Sequence, residues 1–482
     1  MYFNSYGFLL AFFPILLIGY YLLGKANNKL LCNVWLLIGS VVFYLWFSVP
    51  MSLVLLFSML INFILYQRIL NQREVSKKNA KVFCTIGVVF NVLLLFVFKY
   101  AVTFAFWFSA ITNTSPVIRN IVVPVGISFF TFSQISLLVD TYRGEFGTCS
   151  ILDYALYVLL FIKILSGPIV SAGELIPQFH DDDRKKLDFT RFSRGVYAFS
   201  IGLAKKVLLA DFLDIITSAC FGNVAACSGF EASAAILAYA LQLYFDFSGY
   251  CDMALGISLM LNLDIPQNFN SPYKSTDIID FWKRWHMTLT AFLTKYVYYP
   301  LGGNRKGKAR QYLNILIVFL ISGIWHGAGM TFIVWGLIHG VLNILTRVCK
   351  SFWEKVPQVF RVLVTFLSVT VSWVFFRAEN ISDAIQMLAK PFTTAFGQFN
   401  NDLIEAMRQP AIFSIACRVL PFRAALALLF GFCLFVVFFM KNTCEKTKTF
   451  RPTLGRAAIS AALIAISILS LTNFASFIYG GF

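Results

Sequence analysis

From Val82 to Phe98 the chain carries no charged side chain, and stretches of the same kind recur at Tyr6–Gly24, Leu30–Phe47 and Met51–Tyr66. An apolar run of about twenty residues, rising about 1.5 Å per residue as a helix, matches the roughly 30 Å hydrocarbon core of a bilayer. A chain made largely of such runs must bury them in lipid or against one another. Composition agrees: 59% of residues are hydrophobic and 13% charged, against about 45–50% and about 25% in soluble domains. A water-soluble enzyme, a disordered chain and a disulfide-rich secreted domain are therefore excluded. What remains is an all-α polytopic membrane protein, because backbone crossing lipid must satisfy its own hydrogen bonds.

The basic excess sets the orientation. There are 40 Lys and Arg against 23 Asp and Glu, a net charge of +17. In a soluble protein that balance suggests nucleic acid. Here the basic residues fall mostly in short gaps between apolar runs, as in cytoplasmic loops, and no nucleic-acid partner is expected. No basic residue precedes the first run, which reads as a retained helix rather than a cleaved signal. Lys25 and Lys29 follow it, so the N-terminus is expected outside. Arg68, Arg73, Lys77, Lys78 and Lys81 mark the next inside loop, and Ile111–Val117 an outside turn. Ile121–Leu138 then returns to Arg143.

Tyr154–Ile169 is broken by Gly167-Pro168 and lies between two inside loops, which predicts a re-entrant pair of half-helices. Gly195–Phe212 and Ala232–Phe247 go out and back. Residues 248–312 read as cytoplasmic short helices dipping into the membrane. Tyr312–Trp325, Thr331–Leu345, Val359–Phe376, Ala424–Met440 and Ala457–Leu471 complete about eleven crossings, with the C-terminus outside. The chain reads as one membrane domain: N-terminal helices over 1–122, a core over 123–378, and an outer loop with C-terminal helices over 379–482. Ten cysteines lie mostly in apolar runs without a CxxC pair, so no metal site and no disulfide framework are expected. Cys220 and Cys227 alone share an expected outward loop, which leaves a disulfide there as an alternative to free thiols.

Ionisable groups at membrane depth are costly and point to function. His326, in Ser322-Gly323-Ile324-Trp325-His326-Gly327-Ala328-Gly329, lies fourteen residues past Tyr312, roughly 20 Å along a helix. The surrounding glycines permit close backbone approach. His286 ends Phe281-Trp282-Lys283-Arg284-Trp285-His286, where Trp282 and His286 share a helix face with Trp285 beside them. An aromatic-plus-basic interfacial anchor explains that segment equally well. His339 does not share a face with His326 and reads as structural, and His180 as surface. Asp246, in an apolar context, needs a basic or hydroxyl partner. Asp140 with Arg143 reads as a helix-end pair. Soluble-enzyme signatures such as GxSxG, Walker A and HExxH are missing. The chemistry natural to one buried neutral imidazole is proton transfer from an attacking hydroxyl.

A series of blocks in fixed order adds to this. They are Pro124–Phe132, Asp140–Gly144, Leu165–Val170, Tyr244–Asp252, Gln267–Tyr273, Asp280–Thr288, Tyr299–Arg305, Ile324–Ala328, Trp335–Gly340 and Trp373–Ala378. Over about Val123 to Ala378 the chain resembles the membrane-bound O-acyltransferase family, in the branch that contains alginate O-acetylases. Phe477–Phe482 resembles the family's aromatic tail, with Gly480 and Gly481 as departures. The resemblance implies a ring of helices around a thin, funnelled centre, with a cytoplasmic opening for the acyl donor. It assigns the main catalytic role to His326 and a second to His286. Candidate substrate-binding residues are Trp282, Trp285, Lys283, Arg284, Asn304, Arg305, Asp246 and Trp325. It further implies acetyl-CoA as donor with no bound cofactor, and a bacterial inner-membrane location. It also implies an extracytoplasmic, hydrolase-like acetyltransferase as partner and a cell-envelope polysaccharide as acceptor. A sister branch moves D-alanyl groups toward teichoic acids. The Asp140–Gly144 block, the Tyr299–Arg305 block and the length favour the acetylase branch. A transporter or flippase would show repeat symmetry and charges along several helices, whereas polar groups here concentrate at 244–340.

Overall fold

The computed structural model describes every residue except 27, 119, 395, 396, 398 and 472–482. The aromatic tail and the expected outward C-terminus lie outside the described residues. Among the described residues every regular element is helical, as the apolar runs require. By internal contact the chain divides into two units, Met1–Phe199 with Met253–Pro266, and Ser200–Asp252 with the chain from Gln267 onward.

The first unit begins with a π-turn, Phe8–Phe12, that continues into α1 (Phe13–Lys25). Then come α2 (Lys29–Leu45), α3 (Val49–Arg73), α4 (Lys77–Thr112), α5 (Ile127–Arg143), α6 (Ile151–Leu159), α7 (Phe161–Ile164), α8 (Ala172–His180) and α9 (Phe189–Ala204), the last running on into the second unit. Phe3, Phe8, Phe12, Phe43 and Phe161 form one ring cluster with centroids 5.0–6.4 Å apart. A polar seam runs through α3, α4, α5 and α6. Asn62 and Asn91 exchange side-chain hydrogen bonds, Gln134 Nε2 donates to Ser58 Oγ at 3.2 Å, and Tyr154 OH donates to Gln134 Oε1 at 3.3 Å. Each buried amide thereby keeps a partner, as burial away from water demands. Asp264, within Met253–Pro266, is held by Arg184 at 2.8 Å and Arg191 at 2.7 Å. Burial works against its charge, yet the two guanidinium hydrogen bonds prevail and hold its carboxyl below the usual range.

The expected re-entrant segment is broken at Gly167-Pro168, where residues 165–171 leave the helix between α7 and α8, and a second break precedes it. α6 ends at Leu160, and the freed Phe161 N–H donates to Ser40 Oγ of α2 at 3.2 Å. Residues 156–168 are buried throughout, which satisfies the condition for irregular backbone at membrane depth. Lys163 sits in the break, 2.9 Å from Ser133 Oγ and over the Tyr157 ring.

The second unit holds α10 (Asp211–Gly222), α11 (Gly229–Met260, whose last turns pass to the first unit), α12 (Ile278–Arg284), α13 (Met287–Leu293), α14 (Lys308–His326), α15 (Met330–Val348), α16 (Lys350–Trp353) and α17 (Gln358–Arg377). Three short helices follow, α18 (Ile381–Thr393), α19 (Asn401–Arg408) and α20 (Ala411–Val419), then α21 (Phe422–Phe439), α22 (Thr443–Lys448) and α23 (Leu454–Leu469). A π-turn at Lys205–Ala210 presents two successive lysines to carboxylates. Lys205 meets Asp252 at 2.6 Å, and Lys206 meets Asp246 at 2.6 Å and Asp211 at 2.7 Å. Lys206 is the basic partner that Asp246 required.

Six described helices are long and apolar enough to cross a membrane: Phe8–Lys25, α3, α4, α15, α17 and α21. α2 and α23 are shorter apolar helices. About eleven crossings were expected, a count these helices do not reach. α11 and α14 have the length but carry Gln242, Asp246, Asn314 and Ser322 along it. Two boundaries also differ from expectation. α4 runs well beyond Val82–Phe98, and α11 continues unbroken past residue 248, where a cytoplasmic segment was expected to begin. Apolar runs mark where lipid or core faces a helix, and hydrogen bonding carries the helix further.

Candidate active site

α14 and α15 form the scaffold of the site. They approach closely because glycines face each other's backbone. A Cβ at Gly336 would lie 2.5 Å from Phe319 O, and one at Gly323 would strike Phe332 O. α14 ends at His326, eighteen residues from Lys308, about 27 Å along the axis at about 1.5 Å per residue. The His326 side chain is 2% exposed. Its ring is enclosed by Trp325 (centroids 4.6 Å), Trp335 of α15 (5.1 Å, 89°) and Phe376 of α17 (5.0 Å, 72°). Edge-on aromatic packing of this kind fixes ring orientation as well as burying area.

His286 occupies the joint between α12 and α13 with φ 44° and ψ 53°, a left-handed conformation unusual for any residue other than glycine. The strain is held by a local brace. Asn268 O accepts from Met287 N at 3.0 Å, Asn268 Oδ1 accepts from Thr288 Oγ1 at 2.7 Å, and His286 Nδ1 lies 3.3 Å from that same Oδ1. Asn262 and Ser271 are also buried in left-handed backbone, so this conformation positions the His286 ring without by itself assigning it a role. The His286 ring packs against Phe247 at 4.7 Å and lies 6.4 Å from Trp325. Trp325 thus stands between the two histidines, in contact with His326 and within ring range of His286.

His339 is fully buried, and its tautomer follows from its neighbours. Trp282 Nε1 donates to its Nδ1 at 3.3 Å. Its Nε2 lies 2.8 Å from Ser372 Oγ, whose own hydroxyl donates to Val369 O at 2.7 Å, so Nε2 carries the proton. His339 therefore holds Trp282 in place, in keeping with its structural reading.

Two cavities meet at this scaffold. The inner one, about 260 Å³, is lined by Trp282, Leu289, Leu293, Val318, Phe319 and Ser322, among others. The outer one, about 470 Å³, is lined by Lys283, Lys308, Arg347, Lys350 and Arg361 together with Asp277, Asp280 and Glu354. Ile279, Lys283 and Arg347 belong to both walls. Ser322, in the wall of the apolar cavity, is one helical turn before His326, while neither His326 nor His286 lines either cavity.

The other predicted residues are placed as follows. Trp285 is 1% exposed, packed among Phe269, Phe281 and Trp373, and lines neither cavity. Arg284 pairs with Asp280 at 2.9 Å. Asn304 and Arg305 are exposed in a loop pinned by Asn314 Nδ2, which donates to Gly303 O at 2.8 Å. Asp246 is paired with Lys206, as described. Arg347, Lys350, Arg361, Phe319 and Ser322 were not singled out from sequence. Ser322 left a signal there as the polar residue one turn ahead of the deep histidine, and Arg347 and Lys350 left one as basic residues in a gap between apolar runs.

The chain was then compared with known proteins. The model of the membrane-bound O-acyltransferase family matches residues 42–378. The chain belongs to the membrane-bound O-acyltransferase family. The match starts well before Val123, where the resemblance began, so α3 and α4 are part of the family core. A peptidoglycan O-acetyltransferase of Helicobacter pylori is 38% identical over 416 residues, covering 80% of this chain and 79% of the relative. The "Probable alginate O-acetylase AlgI" of Pseudomonas aeruginosa is 37% identical over 401 residues, covering 82% and 75%. A teichoic acid D-alanyltransferase of Bacillus subtilis is 29% identical over 283 residues, covering 53% and 67%. This member is accordingly a multi-pass membrane protein and an O-acyltransferase. The family's reaction moves an acyl group onto a hydroxyl, which requires a base for the hydroxyl proton.

Proposed function

We propose that the chain is an O-acetyltransferase of the bacterial inner membrane. In this reading it takes an acetyl group from acetyl-CoA on the cytoplasmic side and passes it outward for O-acetylation of a cell-envelope polysaccharide. The last step runs directly or through an extracytoplasmic, hydrolase-like transferase. The observation that carries the donor side is the pair of cavities. An anionic nucleotide suits the outer cavity, where Lys283, Lys308, Arg347, Lys350 and Arg361 outnumber three carboxylates. The thioester arm suits the inner, largely apolar one, whose wall includes Ser322, one turn before His326. The names of the H. pylori and P. aeruginosa relatives support acetyl transfer.

His326 acts as general base in this mechanism. Its imidazole takes the proton of the acceptor hydroxyl as the oxygen attacks the thioester carbonyl. The carbon–sulfur bond then breaks, and the thiolate leaves protonated as CoA thiol. His286 and Trp325 hold the neighbouring wall. Enclosure by aromatic rings excludes water, which would otherwise hydrolyse the thioester.

The test is transfer of labelled acetyl from acetyl-CoA by the purified protein in liposomes. Lys283→Ala and Arg347→Ala should raise KM for acetyl-CoA several-fold with little change in kcat, the pattern of lost donor binding. An unchanged donor KM in both variants would remove the donor from these cavities. Turnover with a D-alanyl carrier thioester but not with acetyl-CoA would favour D-alanyl transfer, the activity named for the more distant B. subtilis relative.

A further inference from the structure

Cys220 closes the last turn of α10, and Cys227 follows a single 3-10 turn at Val224–Ala226. Both are thiols in this structure. The two side chains are in hydrogen-bonding contact, and Cys227 Sγ lies 3.4 Å from Cys220 O. Cys220 is 2% and Cys227 8% exposed, while Gly222, Asn223, Ala225 and Ala226 above them face solvent. The turn they flank is a tether. Lys390 of α18 donates to Ala225 O at 2.9 Å and Cys227 O at 2.6 Å. Ser228 caps α11 together with Glu231, whose other carboxylate oxygen accepts from Asn400 N at 2.7 Å. The eight remaining cysteines show no such pairing among the described residues.

We propose that Cys220 and Cys227 are joined as a structural disulfide in the mature protein, clamping the turn that holds α18 and Asn400. The proposal rests on the reading that this face is extracytoplasmic, where disulfides persist. The Cys227 thiolate attacks the disulfide of a cell-envelope thiol oxidase. One oxidant sulfur leaves as thiolate, and a mixed disulfide forms. The Cys220 thiolate then displaces the remaining oxidant sulfur. Two electrons and two protons pass from the pair to the oxidant, which becomes a dithiol. The hydrogen bond from the Cys220 thiol favours a thiolate at Cys227, and Lys390, which bonds Cys227 O, adds positive charge beside it. Once the turn closes over the pair, its burial keeps soluble reductants away.

The test is differential alkylation of the protein in native membranes. N-ethylmaleimide is applied in denaturant, followed by reduction, iodoacetamide and peptide mass spectrometry. Cys220 and Cys227 should carry only the second label, and the other eight cysteines the first. First-label modification of the pair to the level of the other eight overturns the proposal. A parallel sample of intact spheroplasts treated with a membrane-impermeant maleimide reports the orientation. Cys417, partly exposed in the segment after α18, should label, and Cys349, exposed after α15, should not. A reduced pair with Cys349 protected sinks the disulfide alone. Labelling of Cys349 with Cys417 protected sinks the orientation and the disulfide with it.

Discussion

His326 and His286 differ in what holds them, and the difference fixes how each responds to substitution. His326 ends a regular helix and is held by three aromatic rings. Replacing it with alanine leaves the backbone unstrained. We predict that His326→Ala folds, by detergent size exclusion and melting, but loses about 10²–10⁴-fold in acyl transfer, as expected for a missing general base. Near-normal glycan acetylation by that variant would end the assignment. His286 sits in left-handed backbone, a region that asparagine tolerates and β-branched residues do not. His286→Asn should melt close to wild type yet lose activity, whereas His286→Ile should be less stable by about 1–3 kcal/mol. Equal melting of the two would show that the joint is not strained. Lys206 makes a third case. It is 4% exposed between Asp211 and Asp246. Lys206→Met leaves two buried carboxylates without a cation, a change that typically costs about 3–5 kcal/mol. A variant that folds normally would point to a role for Asp246 beyond this pair. At this scale the depth of His326 was legible from the run that precedes it. The strain at His286 was not, because it arises from Asn268 and Thr288, which bracket the joint through tertiary hydrogen bonds.

Elements were legible to the degree that lipid or core, rather than a partner, determines them. The apolar runs located α1, α2, α3, α15, α17 and α21 because a charge-free stretch has few alternatives to a buried helix. They located the break at Gly167-Pro168 but not the earlier one after α6. That break depends on Ser40, more than a hundred residues earlier in the chain, offering its hydroxyl to Phe161 N. They also ended α11 too soon, because the apolar run stops at Ser248 and Asp252 looks like a surface residue until Lys205 is placed beside it. The candidate site suffered in the same way. Arg347 and Lys350 were visible as orientation markers, but only folding puts them in one cavity wall with Lys283 and Lys308. The element-scale prediction concerns α14 and α15. Gly336 meets the carbonyl of Phe319, and no side chain fits between the two backbones. Gly336→Leu should push the helices apart, displace Trp335 from His326, and lower both melting temperature and activity. Gly7, whose Cβ position is open, is the control, and Gly7→Ala should leave both within error. Equal effects of the two substitutions would refute close helix approach as the support of the site.

In the proposed reaction the donor and the acceptor lie on opposite sides of a bilayer, so orientation is part of that proposal. The basic residues make one orientation favourable. Arg68, Arg73, Lys77, Lys78 and Lys81 cluster at the junction of α3 and α4, while no basic residue precedes α1. Short loops rich in Lys and Arg stay cytoplasmic, because translocating them opposes the membrane potential and removes them from anionic headgroups. Val75 lies in that junction and is 80% exposed, outside any helix. It therefore reports the loop without disturbing a packed surface. We predict that a single cysteine at position 75, introduced as Val75→Cys with the ten native cysteines replaced, reacts with an impermeant maleimide only after the membrane is permeabilised. The proposed reaction also requires the basic cavity of Lys308, Arg347 and Lys350 to face the cytoplasm, the side that basic gaps between apolar runs favour. The outcome therefore bears on the chemistry as well as the topology. Strong labelling at position 75 in intact cells would overturn the orientation that the basic residues favour, and the proposed direction of acetyl transfer would fail with it.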